Sequence, residues 1–220
     1  NTTIQADLAD EYREKLNATG IKKEYYEQIQ LDIQRLDQYP DDSTEFAVIK
    51  GYLDTIFSLP WKKRKASKID IKRVKHELDQ NHFGLETVKM RILEHLAVRK
   101  IAKKRIGTIL CLAGPPGVGK TSIVKSVAAA LRRPFIRLAL GGVRDEAELR
   151  GHRRAYVGSM PGKLISSLIK ADAMNPVICL DEIDKLAGGF KGDPSSVLLE
   201  ILDIEQNKSF VDHYIQCPVD

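Results

Sequence analysis

An all-helical first half followed by an α/β second half is the architecture that this 220-residue sequence predicts. Three observations carry that prediction. Apolar residues recur at helical spacing up to about residue 100, and from residue 108 short apolar runs alternate with helical stretches. The two patterns meet at a glycine-rich segment, residues 114–121, which stands between an apolar run and a helical stretch. Strands alternating with helices imply a parallel sheet covered on both faces.

Taken in order, Leu8, Tyr12 and Leu16 share one helical face, and after a break at Thr19 and Gly20 a second stripe runs Ile21, Tyr25, Ile29, Ile33 and Leu36. These two helices are expected to pair antiparallel. Tyr39-Pro40 closes the second, and Asp42 with Glu45 three residues later reads as the capping pair of a third, whose buried stripe is Phe46, Ile49, Leu53, Ile56 and Phe57. Leu59-Pro60 ends it, because the residue before a proline is pushed out of helical geometry. Trp61 reads as a packing anchor. Asp70 caps a short helix with Ile71, Val74 and Leu78, and beyond Asn81-His82-Phe83-Gly84 a longer one carries Leu85, Val88, Ile92 and Leu96. Strands are then predicted over 108–113, 135–140 and 177–180, with helices over 120–131 and 163–173. The division this suggests is a helical unit over 1–70 and an α/β unit over 71–220.

A hydrophobic fraction of 43% with only 15 Gly and 9 Pro, and no tandem repeat, excludes collagen-like, disordered and solenoid classes. The apolar runs fall far short of the roughly 20 residues that cross a bilayer, so no membrane association is expected. Cys111, Cys179 and Cys217 lack C-x-x-C spacing and read as small buried hydrophobes in a reducing compartment. The start at Asn1 without Met and the stop at Asp220 suggest a piece of a longer chain. The net charge of +5 is concentrated in Lys62, Lys63, Arg64, Lys65, Lys68, Lys72, Arg73 and Lys75, with Asp70 the only acid among them. Such a run suits nucleic acid or an acidic partner, yet no aromatic residue interleaves and no groove-reading motif accompanies it, which favours a solvated linker and helix face. The five histidines show no metal-ligand spacing, and no Ser-His-Asp set is present.

Gly114, Pro115, Pro116, Gly117, Val118, Gly119, Lys120 and Thr121 match GxxxxGK[ST] in full, after a predicted strand and before a predicted helix. Glycines let the backbone wrap a polyphosphate closely, so that amides and the positive helix end face the anion. With ATP or ADP as the expected nucleotide, Lys120 would reach the β and γ phosphates, and the Thr121 hydroxyl would complete a Mg²⁺ shell. Val177, Ile178, Cys179 and Leu180 then run into Asp181 and Glu182, an apolar strand ending in two carboxylates. Downstream of a complete phosphate loop, Asp181 is the Mg²⁺ ligand, mostly through water, and Glu182 the activator of the attacking water. Tyr156 and Val157 lie in a glycine-bounded segment that could grip a polypeptide, although the residues alone favour a tyrosine packed in a turn.

The sequence resembles the Lon family of AAA+ ATP-dependent proteases, closely from about Glu45 onward. The resemblance is carried by Leu59-Pro60-Trp61, His82-Phe83-Gly84-Leu85, the phosphate loop, the charged stretch over 141–154, the run over 156–163, and Leu180-Asp181-Glu182-Ile183-Asp184-Lys185. It implies a P-loop AAA+ parallel-sheet subdomain preceded by neck helices, in a hexameric ring that hydrolyses ATP, unfolds protein substrates and threads them to a Ser-Lys peptidase domain. It implies the bacterial cytoplasm, or the mitochondrial matrix. By the same resemblance, Lys120 and Glu182 are catalytic, and Tyr156 and Val157 form the pore loop that contacts the translocating chain. His82, Phe83 and Gly84 lie against adenine, with Phe83 where the family more often has tyrosine. Two other departures, Lys191 and Ile204, threaten none of this. The family's first polar sensor strand, arginine finger, helical lid and peptidase residues are not in the sequence, so the 220-residue piece alone is expected neither to cleave protein nor to hydrolyse ATP well. A nucleic-acid-linked AAA+ ATPase, helicase-like or clamp-loader-like, is the alternative, and an aromatic pore residue at Tyr156 is what separates the two.

Overall fold

The computed structural model describes residues 2–65, 68–102, 109–155, 157–186 and 193–219. Five helices come first, α1 (Thr2–Ala18), α2 (Lys23–Leu36), α3 (Thr44–Ser58), α4 (Ile71–Asn81) and α5 (Glu86–Ile101). Then follow α6 (Lys120–Ala130), β1 (Phe135–Ala139), α7 (Glu146–Arg150), α8 (Lys163–Ala171), β2 (Val177–Asp181) and α9 (Pro194–Leu202). Helices α1, α2 and α3 pack on one another around Tyr12, Leu16, Ile29, Ile33, Leu53 and Ile56, the stripes expected from periodicity. The cap of α3 is Ser43, whose hydroxyl accepts from the Phe46 amide, and not Asp42; the helix starts one residue later than the capping pair suggests, and Ser is as good an N-cap as Asp. Asp70 caps α4 as expected, accepting from the Lys72 and Arg73 amides.

β1 and β2 pair in parallel from Phe135↔Val177 to Ala139↔Asp181. Alternation turns Ile136, Leu138 and Leu180 toward the cluster that holds α8 and the three N-terminal helices. Val177 turns the other way, onto a second cluster in which α4 packs on both α5 and α6 through Val74, Leu78, Ile92, Ile123 and Val127. The sheet is therefore covered on both faces.

Residues 109–113 form no strand, and the position of Thr108 lies outside the described residues. A strand exists only where a neighbour takes its backbone hydrogen bonds, and among the described residues nothing pairs with this run or with the second edge of β2. For the same reason Ile109, Leu110 and Cys111 are exposed, so Cys111 is not the buried hydrophobe its apolar setting suggests, and Cys179 is only half-buried. Cys217 is buried, and burial pushes its thiol up to about 12.

The basic linker after α3 is docked. Lys62 donates to the Ala18 carbonyl, Lys63 pairs with Asp172 at 2.7 Å, and Asn175 exchanges hydrogen bonds with the Lys65 backbone. Part of the cationic run is thus spent inside the chain. No described helix is long and apolar enough to cross a membrane.

The segment after α9 closes under the 151–162 loop. Asp212, with no solvent exposure, accepts from the amides of Gly162 (2.7 Å), Tyr214 (2.8 Å) and Ile215 (3.1 Å). Gly151, at φ +81°, approaches so closely that a Cβ there would stand 2.7 Å from the Asp212 carboxylate. Burial raises the Asp212 pKa, and the three amides oppose the shift. The unfolded chain therefore releases this proton first, and the carboxylate removes stability as pH climbs through its ordinary 3.8 and on through the raised folded value. Asp212→Ala should still destabilise, because three buried amides lose their acceptor, by about 1–3 kcal/mol. Thermal unfolding should show a lower midpoint with a flatter acid-side pH dependence, and hydrogen exchange should quicken at Gly162, Tyr214 and Ile215.

Candidate functional site

The carboxyl end of the sheet faces the amino end of α6. Phe135, Arg137 and Ala139 of β1 share a face with Val177, Cys179 and Asp181 of β2, the face that carries α6. Arg137 Nε donates to Asp181 Oδ2 at 2.7 Å, and the Thr121 hydroxyl approaches the same oxygen at 3.4 Å from the first turn of α6. The guanidinium holds the Asp181 carboxyl below the usual carboxylate range, helped by the Glu182 amide and Thr121. Strand and phosphate loop are thus joined at one carboxylate.

Gly117 and Gly119 adopt φ of +80° and +92°, a backbone that L side chains rarely take. Gly119 is also the N-cap of α6, where no side chain satisfies the first amides. Uncapped amides at the positive end of a helix dipole suit an anion. Lys120 curls its ammonium onto the carbonyl oxygens of Gly114 and Pro115, 2.7 Å from each, so the cation stays over the loop that Pro116 and Val118 complete. No described group of three or more His, Cys, Asp and Glu could hold a metal. Mg²⁺ with a nucleotide takes one or two protein oxygens and fills its shell with phosphate and water. Thr121 and Asp181 supply such oxygens.

Glu182 sits at φ +60°, a strained conformation for a side chain of this kind, just past the end of β2. Its carboxylate accepts from Lys185 at 2.8 Å and lies against Gly141, where an added Cβ would stand 3.3 Å from Glu182 Cβ and nearer still to the carboxylate. The register of β1 on β2 makes this meeting, since both strands end at the same level.

His82 ends α4 and shares a hydrogen bond of 3.0 Å with the Ser126 hydroxyl of α6. The His82-Phe83-Gly84 turn therefore rests beside the helix that the phosphate loop opens, with the Phe83 ring wholly exposed and Gly84 at φ +68°. Val157 is 71% exposed in a separate loop, and Tyr156 lies outside the described residues. Among the described residues, no hydrogen bond or ion pair joins that loop to residues 114–121 or 181–182. Arg137 was not singled out in the sequence, and Gly141 and Lys185 stood there only within longer runs, with no role of their own. An arginine in the middle of the apolar run 135–140 is the signal for the first, while Gly141 and Lys185 gain meaning only from contact with Glu182.

Residues 110–214 match the ATPase family associated with various cellular activities, AAA. Over 212 residues, 96% of this chain, it is 56% identical to the Lon protease of Clostridioides difficile strain 630, of which it covers 27%. It is 51% identical over 211 residues to the Lon protease of Halothermothrix orenii, covering 96% of this chain and 27% of that protein. With Lon protease 1 of Bacillus subtilis strain 168 the identity is 53% over 203 residues, 92% of this chain and 26% of that protein. The chain thus spans about a quarter of the length of the curated relatives it matches, at 26–27%. With its sheet, phosphate loop and strand-end carboxylates in the region matched as an AAA ATPase, the chain belongs to the Lon protease family.

Proposed function

We propose that this chain carries the ATP-binding and hydrolysing module of a Lon-type ATP-dependent protease, with α1–α3 and the linker (residues 1–70) as neck and residues 71–220 as ATPase unit. The observation that carries this reading is the convergence of Thr121, from the phosphate loop, and Asp181, from the end of β2, within 3.4 Å. The α6 amides and Lys120 bind and neutralise the phosphates of ATP or ADP. Thr121 and Asp181 hold Mg²⁺, which when bound offsets phosphate charge. Arg137 keeps Asp181 ionised and aimed at Thr121. Glu182, held between Gly141 and Lys185, accepts the proton of the water that attacks the γ phosphate. His82, Phe83 and Gly84 flank the adenine, for which the exposed Phe83 ring offers a stacking face.

In the same reading, Tyr156 and Val157 grip an unfolded or misfolded polypeptide and pass it to a Ser-Lys peptidase domain elsewhere in the protein, within a hexameric ring in the bacterial cytoplasm. Exposure of Val157 and Met160 on a loop whose base is pinned by Asp212 supports the grip, since apolar side chains on a fixed base contact a chain without reading its sequence.

Calorimetric titration of the full-length protein with Mg²⁺-ATP should give saturable binding that Lys120→Ala abolishes; binding that survives in Lys120→Ala contradicts the assignment. Glu182→Gln should keep nucleotide affinity and lower kcat for hydrolysis about 10²–10⁴-fold. Gly141→Ala should also lower kcat while affinity holds, because the new methyl displaces the Glu182 carboxylate. Tyr156→Ala should lose degradation of a folded protein while the Kd for ATP is unchanged, and degradation at the wild-type rate would remove the gripping role.

A further inference from the structure

We propose that Arg154 is a positioning residue that couples the N-terminal helices to the polypeptide-gripping loop, by pairing with Asp32 and stacking on Tyr52. The proposal rests on the reading of Tyr156 and Val157 as the gripping pair. Arg154 Nη1 donates to Asp32 Oδ2 at 2.6 Å, and its guanidinium carbon lies 4.2 Å from the centre of the Tyr52 ring. Asp32 on α2 and Tyr52 on α3 are each 2% exposed. Arg35 also reaches Asp32, at 3.3 Å, but its side chain is 59% exposed, so Arg154 is the main buried partner of that carboxylate.

The loop therefore stands on two different supports. Gly151 and Gly162 rest on Asp212, while Arg154, two positions before Tyr156, rests on α2 and α3. Among the described residues, no hydrogen bond or ion pair joins another polar side chain of this stretch to those helices: Ser159 donates back to the Arg153 carbonyl, and His152 and Arg153 are exposed. Two residues span at most about 7 Å of chain, so a shift of α2 and α3 against the sheet is delivered close to Tyr156. Stability alone does not call for this pair, because apolar side chains of similar volume seal such a contact as well or better. What the planar guanidinium adds is a fixed direction, held by a carboxylate on one side and a ring on the other.

The test uses the full-length protein with two variants. Asp32→Leu/Arg154→Met leaves no stranded buried charge, and Arg154→Lys keeps the charge without the plane. Measured are the thermal midpoint, hydrogen exchange over residues 152–160, and degradation of a stably folded and of an unstructured protein. The expected result for the double variant is a wild-type midpoint, faster exchange confined to the loop, and folded-protein degradation reduced about tenfold with the unstructured protein much less affected. Arg154→Lys should fall between. Wild-type exchange together with wild-type folded-protein degradation overturns the proposal, and so does a lowered midpoint with exchange quickened throughout α2 and α3, which marks a merely structural role. Tyr156→Ala separates the two ideas: if it degrades folded protein normally, the gripping role fails, while loop exchange in the double variant still decides the coupling.

Discussion

The level at which β1 and β2 stop together sets the geometry of the candidate site. Because Ala139 pairs with Asp181, the residues just beyond each strand end meet, and Glu182 comes to rest on Gly141. The same register turns Arg137 and Asp181 to the face that carries α6, where Thr121 is waiting. A slip of one residue would send Asp181 to the opposite, apolar face, among Ile136, Leu138 and Ile165. The acid would then be buried and the phosphate loop would lose its partner.

That register is in turn held by apolar packing from both sides. One cluster runs without interruption from Tyr12 and Ile33 in the N-terminal helices through Ile136 and Leu138 to Ile215 and Val219. On the other side α4, backed by α5, braces α6, which places the His82 turn against the phosphate-loop helix. Polar contacts are few at these joints and each has a local job: Asp212 ties the base of one loop, Asp32 receives Arg154, and Lys63 and Asn175 moor the linker. The α/β region and the helices before it thus share one continuous apolar core.

Much of this was legible in the residues. The helical stripes apart from Leu85, which precedes α5 at φ +58° and is exposed, the Asp70 cap, the parallel strands at 135 and 177, and the helix opening at Lys120 follow from periodicity and from glycine and proline chemistry. The GxxxxGK[ST] match at residues 114–121 needed only its own spacing. The misses have two causes. The run at 109–113 has a strand's composition, yet a strand is a property of a pair, and no described partner is beside it. Cys111 follows it into solvent. Ser43 displaced Asp42 as a cap because adjacent residues with equal capping power cannot be ranked by composition.

Alone, the sequence determined the order of elements, the glycine-and-lysine loop that can surround a polyphosphate, the two acids at a strand end, and the family likeness. Those are local properties, set by side-chain type at fixed spacing along the chain. Only the tertiary structure decided that Arg137 would orient Asp181, that Gly141 would make room for Glu182, and that Asp212 and Arg154 would hold one loop from two directions. Each of those contacts joins residues 41 to 122 positions apart, and no pattern within a helix or strand reports which distant side chain packing will deliver.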